Sequence, residues 1–264
     1  MASYSAKDVA TLRQMTGAGM LDCRNALEEA GGDLDRAAQI LREKGQAGAA
    51  KRSDRAASEG AVAAVRSGDA AAVVELRCET DFVAKSAEFV ALADELAALV
   101  AAKGVEAVGE LDDEIERLRS TLKENISVGT VRRLVATPGQ VVDTYLHQQA
   151  GRGVNAVAVV LEGGSDELAH DIAVHIAFTK PTYLSREEVP AEEVATERAT
   201  LETISRNEGK PEAALEKIVD GRMNGWFKER VLLDQSYVRD EKQTIAAMLG
   251  SARIVAFAQV VVGA

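Results

Sequence analysis

Long apolar segments are missing from this sequence of 264 residues. The longest apolar runs are rich in alanine and are interrupted by acidic residues, as in ALADELAALVAA (91–102). None approaches the roughly 20 apolar residues that a transmembrane helix needs, so we expect no association with a membrane. The N-terminal stretch MASYSAKDVA carries no apolar signal core. We therefore expect a mature protein that stays in the cytoplasm.

Cysteine and basic residues are also scarce. Cys23 and Cys78 lie far apart and in no metal-binding spacing, which argues against a disulfide framework and fits a reducing compartment. Lys and Arg number 31 against 42 Asp and Glu, so the net charge is −11. Because phosphate contacts need clustered Lys and Arg, we expect no direct binding of nucleic acid. The basic cluster KRSDR (51–55) lies in an Ala- and Gly-rich stretch that is typical of a solvated linker.

The motifs of common enzyme classes are absent too. There is no GxxxxGK[ST] phosphate loop, and TGAGM (16–20) follows a predicted helix rather than a strand. No GxSxG motif and no Cys–His nucleophile context occurs. His170 and His175 are five residues apart, on different faces of a helix, and form no zinc site. We predict no catalytic residue, no bound metal and no cofactor.

The N-terminal part of the chain predicts three short helices. Ser5 and Asp8 form a capping box at the first helix, and a glycine ends each helix, the third at Gly45. We predict a three-helix bundle over residues 1–45 and a linker over residues 46–58. The apolar residues of the first helix recur at helical spacing: Val9, Leu12 and Met15.

The rest of the chain predicts an α+β fold with an internal duplication. Residues 59–139 contain two β-like runs joined by Ser67-Gly68-Asp69, then helices, then a strand. The same order recurs in residues 140–185 and 230–264, where Ser165 caps the helix. We predict two related α+β subdomains, the N-subdomain and the C-subdomain of a core, each with a small, mostly antiparallel sheet.

Residues 186–229 interrupt the second copy with two helices and the turn NEGKP (207–211). This pattern predicts an antiparallel helical hairpin with a thin apolar interface, which protrudes as an arm. The residues predicted in that interface are Val194, Leu201 and Ile204 on the first helix and Leu215, Ile218, Arg222 and Trp226 on the second.

The stretch CETDFVAKSAEF (78–89) places Phe82 and Val83 between two predicted helix caps, Thr80 and Ser86. Aromatic residues make up 4% of the chain, so a phenylalanine at a strand–helix junction requires a reason. In the second copy the same junction is EGGS (162–165), which has no aromatic residue. The fold can thus form this junction without Phe82, which weakens the core interpretation of this residue but leaves it open beside a binding role.

Three segments closely resemble the bacterial translation elongation factor Ts family: LRQMTGAGMLDCRNALEEAGGDLDRAAQILREKG (12–45), CETDFVAKSAEF (78–89) and GRMNGWFKERVLLDQSYVRD (221–240). The resemblance covers nearly the whole chain in order. It implies a guanine-nucleotide exchange factor, not an enzyme, that binds elongation factor Tu in its GDP-bound and nucleotide-free states. It also implies a bundle of the ubiquitin-associated (UBA) type, a two-subdomain core and a helical arm.

The resemblance further implies which residues meet the partner. The loop residues Thr80, Asp81, Phe82 and Val83 are expected to contact the nucleotide domain of elongation factor Tu and to disturb its magnesium and phosphate site. In some members the arm is implicated in self-association or in partner contact, and its role here stays open. Other partner contacts are implied for Arg13, Met20, Leu21, Ile126 and His147.

Two alternatives remain beside the exchange factor. One is a non-catalytic adaptor or chaperone-like scaffold that uses the bundle, which would not need the TDFV loop. The other is a hydrolase built around His147, a histidine at a strand end before a Gly-containing turn. From the pattern alone, a structural or incidental role for His147 is the simpler interpretation.

Overall fold

The computed structural model describes residues 4–52 and 54–264. The chain begins with a bundle of three helices, α1 (Ala6–Thr16), α2 (Met20–Glu29) and α3 (Leu34–Arg52). Residues 1–3 and Ser53, which fall in the predicted bundle and linker, lie outside the described residues. The buried residues of this small core are Val9, Leu12, Cys23, Ala26, Leu27, Ala37 and Ile40.

Helix caps in the bundle follow the sequence pattern, but one apolar residue does not. Ser5 accepts a hydrogen bond from the N–H of Asp8, whose carboxylate accepts one from the N–H of Ser5, which confirms the capping box. Asp33 accepts a hydrogen bond from the N–H of Arg36 at 2.8 Å and caps α3. Met15, which was placed on the apolar face of α1, is 58% exposed. The bundle core therefore ends one helical turn before the pattern does.

The prediction that α3 ends at Gly45 is wrong, because the helix continues to Arg52. Gly45 has no positive φ, so it does not act as a left-handed helix terminator. A Cβ at Gly45 would lie 2.7 Å from the Oγ of Ser120. Glycine is required here because α3 passes close to a neighbouring helix, not because α3 ends. Residues 46–52 of the predicted linker are therefore helical.

The first subdomain contains an antiparallel sheet in the order β1-β2-β3. Gly68 adopts φ +58° in the turn between the first two strands, which confirms the predicted hairpin. The elements in chain order are β1 (Glu59–Ser67), β2 (Ala70–Cys78), α4 (Asp81–Ala84), α5 (Ala87–Lys103), α6 (Asp112–Leu122) and β3 (Ser127–Val135).

The second subdomain repeats this order. Two strands, β4 (Gln140–Gln149) and β5 (Arg152–Glu162), precede the helix α7 (Asp166–Thr179). Ser165 accepts a hydrogen bond from the N–H of Leu168 at 3.1 Å and caps α7 as predicted.

The arm follows α7 and consists of α8 (Ala191–Asn207) and α9 (Leu215–Arg230). The antiparallel hairpin is confirmed, but the predicted residues of its interface are partly wrong. Leu215, Val219, Met223 and Trp226 are buried on α9, whereas Ile218 and Arg222 are only partly buried and Ile204 is 41% exposed. The predicted set and the observed set of buried residues on α9 both fit helical spacing from Leu215. Packing selects the set that is apolar throughout, and Arg222 instead pairs with Glu208 at 2.6 Å.

The chain returns from the arm to close the second sheet. The closing elements are β6 (Ser236–Tyr237), β7 (Asp240–Thr244), α10 (Ile245–Leu249) and β8 (Arg253–Val261). Strand β8 pairs antiparallel with β5, so the sheet order is β4-β5-β8. The predicted α+β duplication of small antiparallel sheets is confirmed.

The two sheets pack against each other, and a helix covers the outer face of each. Val62 and Val73 of the first sheet share a buried cluster with Val142, Ala158 and Val160 of the second. Because side chains alternate between faces along a strand, the neighbouring residues of β2 pack against α5 instead. Both faces of each sheet are thus buried, and the central strands are almost continuously apolar.

We expect opposite effects from two glycine-to-alanine changes in helix interiors. Gly221→Ala should raise the free energy of unfolding of the arm by up to about 1 kcal/mol, since nothing lies within 4 Å of the added Cβ. Gly45→Ala should lower stability, since its Cβ meets Ser120. Thermal and urea unfolding of both variants would measure this. Equal stabilisation by the two changes would contradict the close helix contact.

We also expect the arm to be dispensable for folding of the core. The chain enters and leaves the arm side by side, because the N–H of Thr182 bonds the carbonyl of Arg230 at 2.8 Å and Tyr183 pairs with Val231. Replacing residues 188–228 by a short Gly-Ser linker should reduce the helical circular dichroism signal and preserve a cooperative thermal transition. Loss of that transition would show that the core depends on the arm.

Candidate protein-binding site

The loop between β2 and α5 is held by the carboxylate of Glu124, which follows α6. This carboxylate accepts hydrogen bonds from the backbone N–H groups of Glu79 at 3.0 Å and Thr80 at 3.1 Å, and from the hydroxyl of Thr80. Thr80 in turn is the N-cap of the single turn α4 and accepts from the N–H of Val83 at 3.4 Å. Sequence reasoning missed Glu124, because its partners lie 44 and 45 residues away.

The aromatic ring of Phe82 is exposed to solvent. Its side chain is 84% exposed, the most exposed of the large apolar side chains in the described part of the chain. Val83 is half-buried against the core of the first subdomain, and Ala84 is completely buried in it. Phe82 and Val83 are both predicted to contact the partner, but the fold exposes the first and half-buries the second. A core role for Phe82 is excluded in this structure.

Asp81 forms an ion pair within the same turn. Its Oδ2 lies 2.5 Å from the Nζ of Lys85, one helical turn further along the chain. The hydrogen bond from Lys85 lowers the pKa of Asp81, so the carboxylate is charged at neutral pH. Ser86 occupies the N-cap position of α5, but its hydroxyl makes no capping hydrogen bond. Both predicted helix caps are therefore confirmed in position, Thr80 with a side-chain capping hydrogen bond and Ser86 without one.

An open cavity of about 620 Å³ lies at the end of the second sheet. His147 is exposed in its wall, and its Nδ1 lies 3.5 Å from the hydroxyl of Tyr145. Phe178, at the end of α7, is 77% exposed at the same cavity. Sequence reasoning selected His147 but missed Phe178, which occupies the last position of an otherwise apolar helical run and resembles a core residue.

Arg152 connects this cavity with the Phe82 loop. Its guanidinium group lies in the cavity wall, 2.9 Å from Glu59 and 2.6 Å from the carbonyl of Gly60, both in the first sheet. Its positive charge also contributes to the lowered pKa of Asp81. Glu59 pairs with Cys78, which directly precedes the loop, so the loop and the cavity are neighbours although β1 and β5 belong to different subdomains.

The N-terminal bundle adds a second apolar patch. Met20 and Leu21 begin α2 and are 48% and 65% exposed, and Arg13 of α1 is exposed as well. Asp22, the next residue, forms an ion pair with Lys123 at 2.7 Å. Lys123 directly precedes Glu124, so the patch and the Phe82 loop are attached to adjacent residues.

Ile126 differs from the other predicted contact residues. Its side chain is completely buried in the core of the first subdomain, and its carbonyl accepts a hydrogen bond from Arg119. The side chain therefore offers no surface to a partner in this conformation. Ile126 supports the segment that contains Glu124.

Several groups that could take part in catalysis are buried or paired in the described structure. His175 is buried and bonds Gln235 at 2.9 Å, while His170 contacts Asp143 at 2.9 Å. Burial raises the pKa of the Cys78 thiol to about 12, so it is not a nucleophile at neutral pH. Among residues 4–52 and 54–264, no cluster of His, Cys, Asp and Glu could hold a metal ion.

The arrangement of exposed apolar groups defines a class of protein. Phe82 and the Met20-Leu21 patch are large apolar side chains on hydrogen-bonded or helical backbone, as in protein-binding surfaces. In the part of the chain that the structure describes, no helix is long and apolar enough to cross a membrane. The fold and the site thus have the features of a protein-binding factor.

Comparison with known proteins gives the family. The sequence model described as elongation factor Ts matches residues 79–264. The chain is 46% identical to elongation factor Ts of Clavibacter michiganensis subsp. michiganensis, with 100% of both chains covered. It is 47% identical to that of Mycobacterium marinum, with 96% of this chain and 95% of the relative covered. The chain therefore belongs to the elongation factor Ts family, whose members are translation elongation factors.

We expect Glu124→Ala to loosen the Phe82 loop without unfolding the subdomain. The change removes the acceptor of the Glu79 and Thr80 amides, so these amides should exchange with deuterium faster. Hydrogen-exchange mass spectrometry of a peptide covering 78–86 would measure it. Glu110→Ala is the matched control, since it removes an exposed carboxylate just before α6 that pairs with Lys103 at the end of α5. Unchanged exchange in the Glu124 variant would contradict the role of this carboxylate.

Proposed function

We propose that this protein is a guanine-nucleotide exchange factor that binds elongation factor Tu and promotes the release of GDP. The observation that carries the proposal is the Phe82 ring, which is 84% exposed on a loop held by hydrogen bonds. The whole-length similarity to elongation factor Ts supports the choice of partner. The partner would be bound in its GDP-bound and nucleotide-free states during translation elongation in the cytoplasm.

Phe82 is suited to insert into an apolar gap of the partner. Burying a phenylalanine side chain contributes about 1.5–3 kcal/mol relative to leaving it in water. The loop backbone is already ordered by Glu124 and by the Thr80 cap, so little conformational entropy is lost when the ring is buried. In this proposal Val83 supports the loop from the core side and Thr80 shapes it.

Asp81 supplies the charge that acts on the partner's magnesium site. A carboxylate that comes close to a bound cation competes with the phosphate ligands for that cation and also repels the phosphates. In the free protein Asp81 pairs with Lys85, which compensates part of its charge. We propose that docking separates this pair and directs the carboxylate towards the magnesium and phosphate site.

Exchange also requires that the factor prefers the empty partner. The nucleotide and the exchange factor then lower each other's affinity for the partner by the same ratio, because binding linkage is reciprocal. Moving an equilibrium from 1:99 to 99:1 takes about 5.5 kcal/mol of differential binding, more than one phenylalanine contributes. We propose that Arg13, Met20 and Leu21 of the bundle and His147 of the cavity supply the remaining contacts. Ile126 contributes by supporting the segment that holds the loop.

In this proposal the protein makes and breaks no covalent bond and is not an enzyme. Release of GDP needs only binding, so no cofactor and no metal of its own are required. His147 then acts as a contact residue, and His147→Ala should weaken binding to elongation factor Tu. A hydrolase built around His147 would instead show turnover of a small substrate that this change abolishes. We assign the arm no step in the exchange reaction, and self-association through it is open to test by light scattering.

We expect Phe82→Ala to slow GDP release from purified elongation factor Tu by about 10- to 150-fold, which corresponds to the loss of 1.5–3 kcal/mol. Stopped-flow fluorescence with a labelled GDP would measure the rate. The thermal transition of the variant should not change, because the exposed ring contributes no core packing.

The matched control is Val105→Ala, which truncates an exposed apolar residue (43% exposed) beyond the far end of α5 and should leave the rate unchanged. A normal release rate in the Phe82 variant would contradict the role of the ring. Failure of the unmodified protein to accelerate release would contradict the proposed function and would favour an adaptor or scaffold.

A further inference from the structure

Three consecutive residues after α6, Lys123, Glu124 and Asn125, together bind three different parts of the chain. We call them the α6 hub. Their Cα atoms are about 3.8 Å apart from one to the next, so the parts that they bind are brought together within one short segment. The partners are Asp22 of α2 at 2.7 Å for Lys123, the backbone N–H groups of Glu79 and Thr80 for Glu124, and the carbonyl of Arg55 at 2.7 Å for Asn125.

We propose that the α6 hub holds the N-terminal bundle against the core, so that the Met20-Leu21 patch and Phe82 meet the partner as one rigid surface. Asp22 directly follows the patch in sequence, and Thr80 lies two residues before Phe82. The hub's contact with Asp22 and its contact with Thr80 therefore each lie within two residues of a proposed binding residue. The advantage for exchange rests on the proposed function, whereas the rigid attachment of the bundle does not.

The backbone of Lys123 is specialised for this position. It adopts φ +59° and ψ +30°, a left-handed conformation that is uncommon for residues other than glycine, asparagine and aspartate. Glycine is the usual residue where a helix ends in this way. A glycine here would end α6 equally well but could not reach Asp22. The side chain of Lys123 thus serves a contact that the helix terminus does not need.

Close packing of the bundle on α6 supplements the ion pair. A Cβ at Gly45 would lie 2.7 Å from the Oγ of Ser120, and one at Gly17 would lie 3.1 Å from the Cγ2 of Thr121. Two glycines of the bundle therefore face the last turn of α6, directly before the hub. The Lys123–Asp22 pair is largely exposed and contributes little alone, so the attachment depends on the pair and the packing together.

Rigid attachment matters because, once Phe82 has bound the partner, binding of the Met20-Leu21 patch takes place within the same complex. When Phe82 is bound, a bundle held in place already presents the Met20-Leu21 patch, and no orientational freedom is lost in bringing it there. A bundle that moved freely on its linker would have to be ordered at each encounter. The hub residues act in this way as positioning residues.

The test uses the full chain with Gly45→Leu and Lys123→Asn combined. The leucine forces α3 away from Ser120, and asparagine tolerates the left-handed backbone while removing the ion pair. Amide ¹⁵N relaxation should show bundle and core tumbling together in the unmodified protein and the bundle tumbling faster in the variant. Chemical shifts of buried Leu27 would confirm that the bundle itself stays folded.

Two further variants serve as comparisons. Lys123→Asn alone is the milder change and should give an intermediate relaxation result with no steric effect. Lys103→Asn is the matched control, since it removes an exposed ion pair with Glu110 at the end of α5 and should change neither tumbling nor exchange. Independent tumbling of the bundle in the unmodified protein, or common tumbling in the double variant, would overturn the proposed attachment.

The same variants are then combined with Leu21→Ala in GDP-release assays with elongation factor Tu. In the unmodified background Leu21→Ala should slow release, and in the double variant its effect should shrink by about two- to tenfold, because contacts that share a rigid support are not additive. An equal effect of Leu21→Ala in both backgrounds would overturn the positioning role. If the unmodified protein does not accelerate GDP release from elongation factor Tu, the proposed function fails, and the relaxation result alone decides whether the hub holds the bundle.

Discussion

The carboxylate of Glu124 accepts three hydrogen bonds from the loop that carries Phe82, and the exposure of that ring depends on them. An apolar ring on a loosely held loop would fold back onto the protein to leave water. Because the backbone of Glu79 and Thr80 is fixed and Thr80 caps the following turn, Val83 and Ala84 face the core and Phe82 must face outward. The side chain of Phe82 is thus exposed because hydrogen bonds to the polar backbone groups of Glu79 and Thr80 fix the loop beneath it.

Two ion pairs lie on the same surface. Asp81 pairs with Lys85, and Arg152 pairs with Glu59 across the two subdomains. The sheet-on-sheet packing that brings β1 and β5 together is therefore also what brings the loop to the His147 cavity. If binding of a partner separates Asp81 from Lys85, the Asp81 carboxylate becomes available to that partner on a rigid loop. This links the core packing of the molecule to the chemistry proposed for its surface.

Elements defined by local rules could be predicted from the sequence. The hairpin at Gly68, the cap at Ser165 and the duplicated order of strands and helices follow from turn chemistry, capping and periodicity. Predictions that needed a neighbour failed. Gly45 lies inside α3 rather than at its end, and its close approach to Ser120 explains why glycine occupies this position. The buried stripe of α9 runs through Val219 rather than Ile218, because burial, not spacing, decides between two allowed faces.

The sequence by itself determined that Phe82 is unnecessary for the junction it occupies and that Thr80 can cap the next turn. Both conclusions rest on residues near one another in the chain. Tertiary structure alone decided that Val83 and Ile126 face inward, that Phe178 faces out, and that Glu124 holds the loop. The physical reason is distance along the chain. Hydrogen bonds between segments 40 or more residues apart leave no periodic signal in either segment, and apolar periodicity does not show which single apolar residue stays exposed. Both are decided only when the sheets and helices pack.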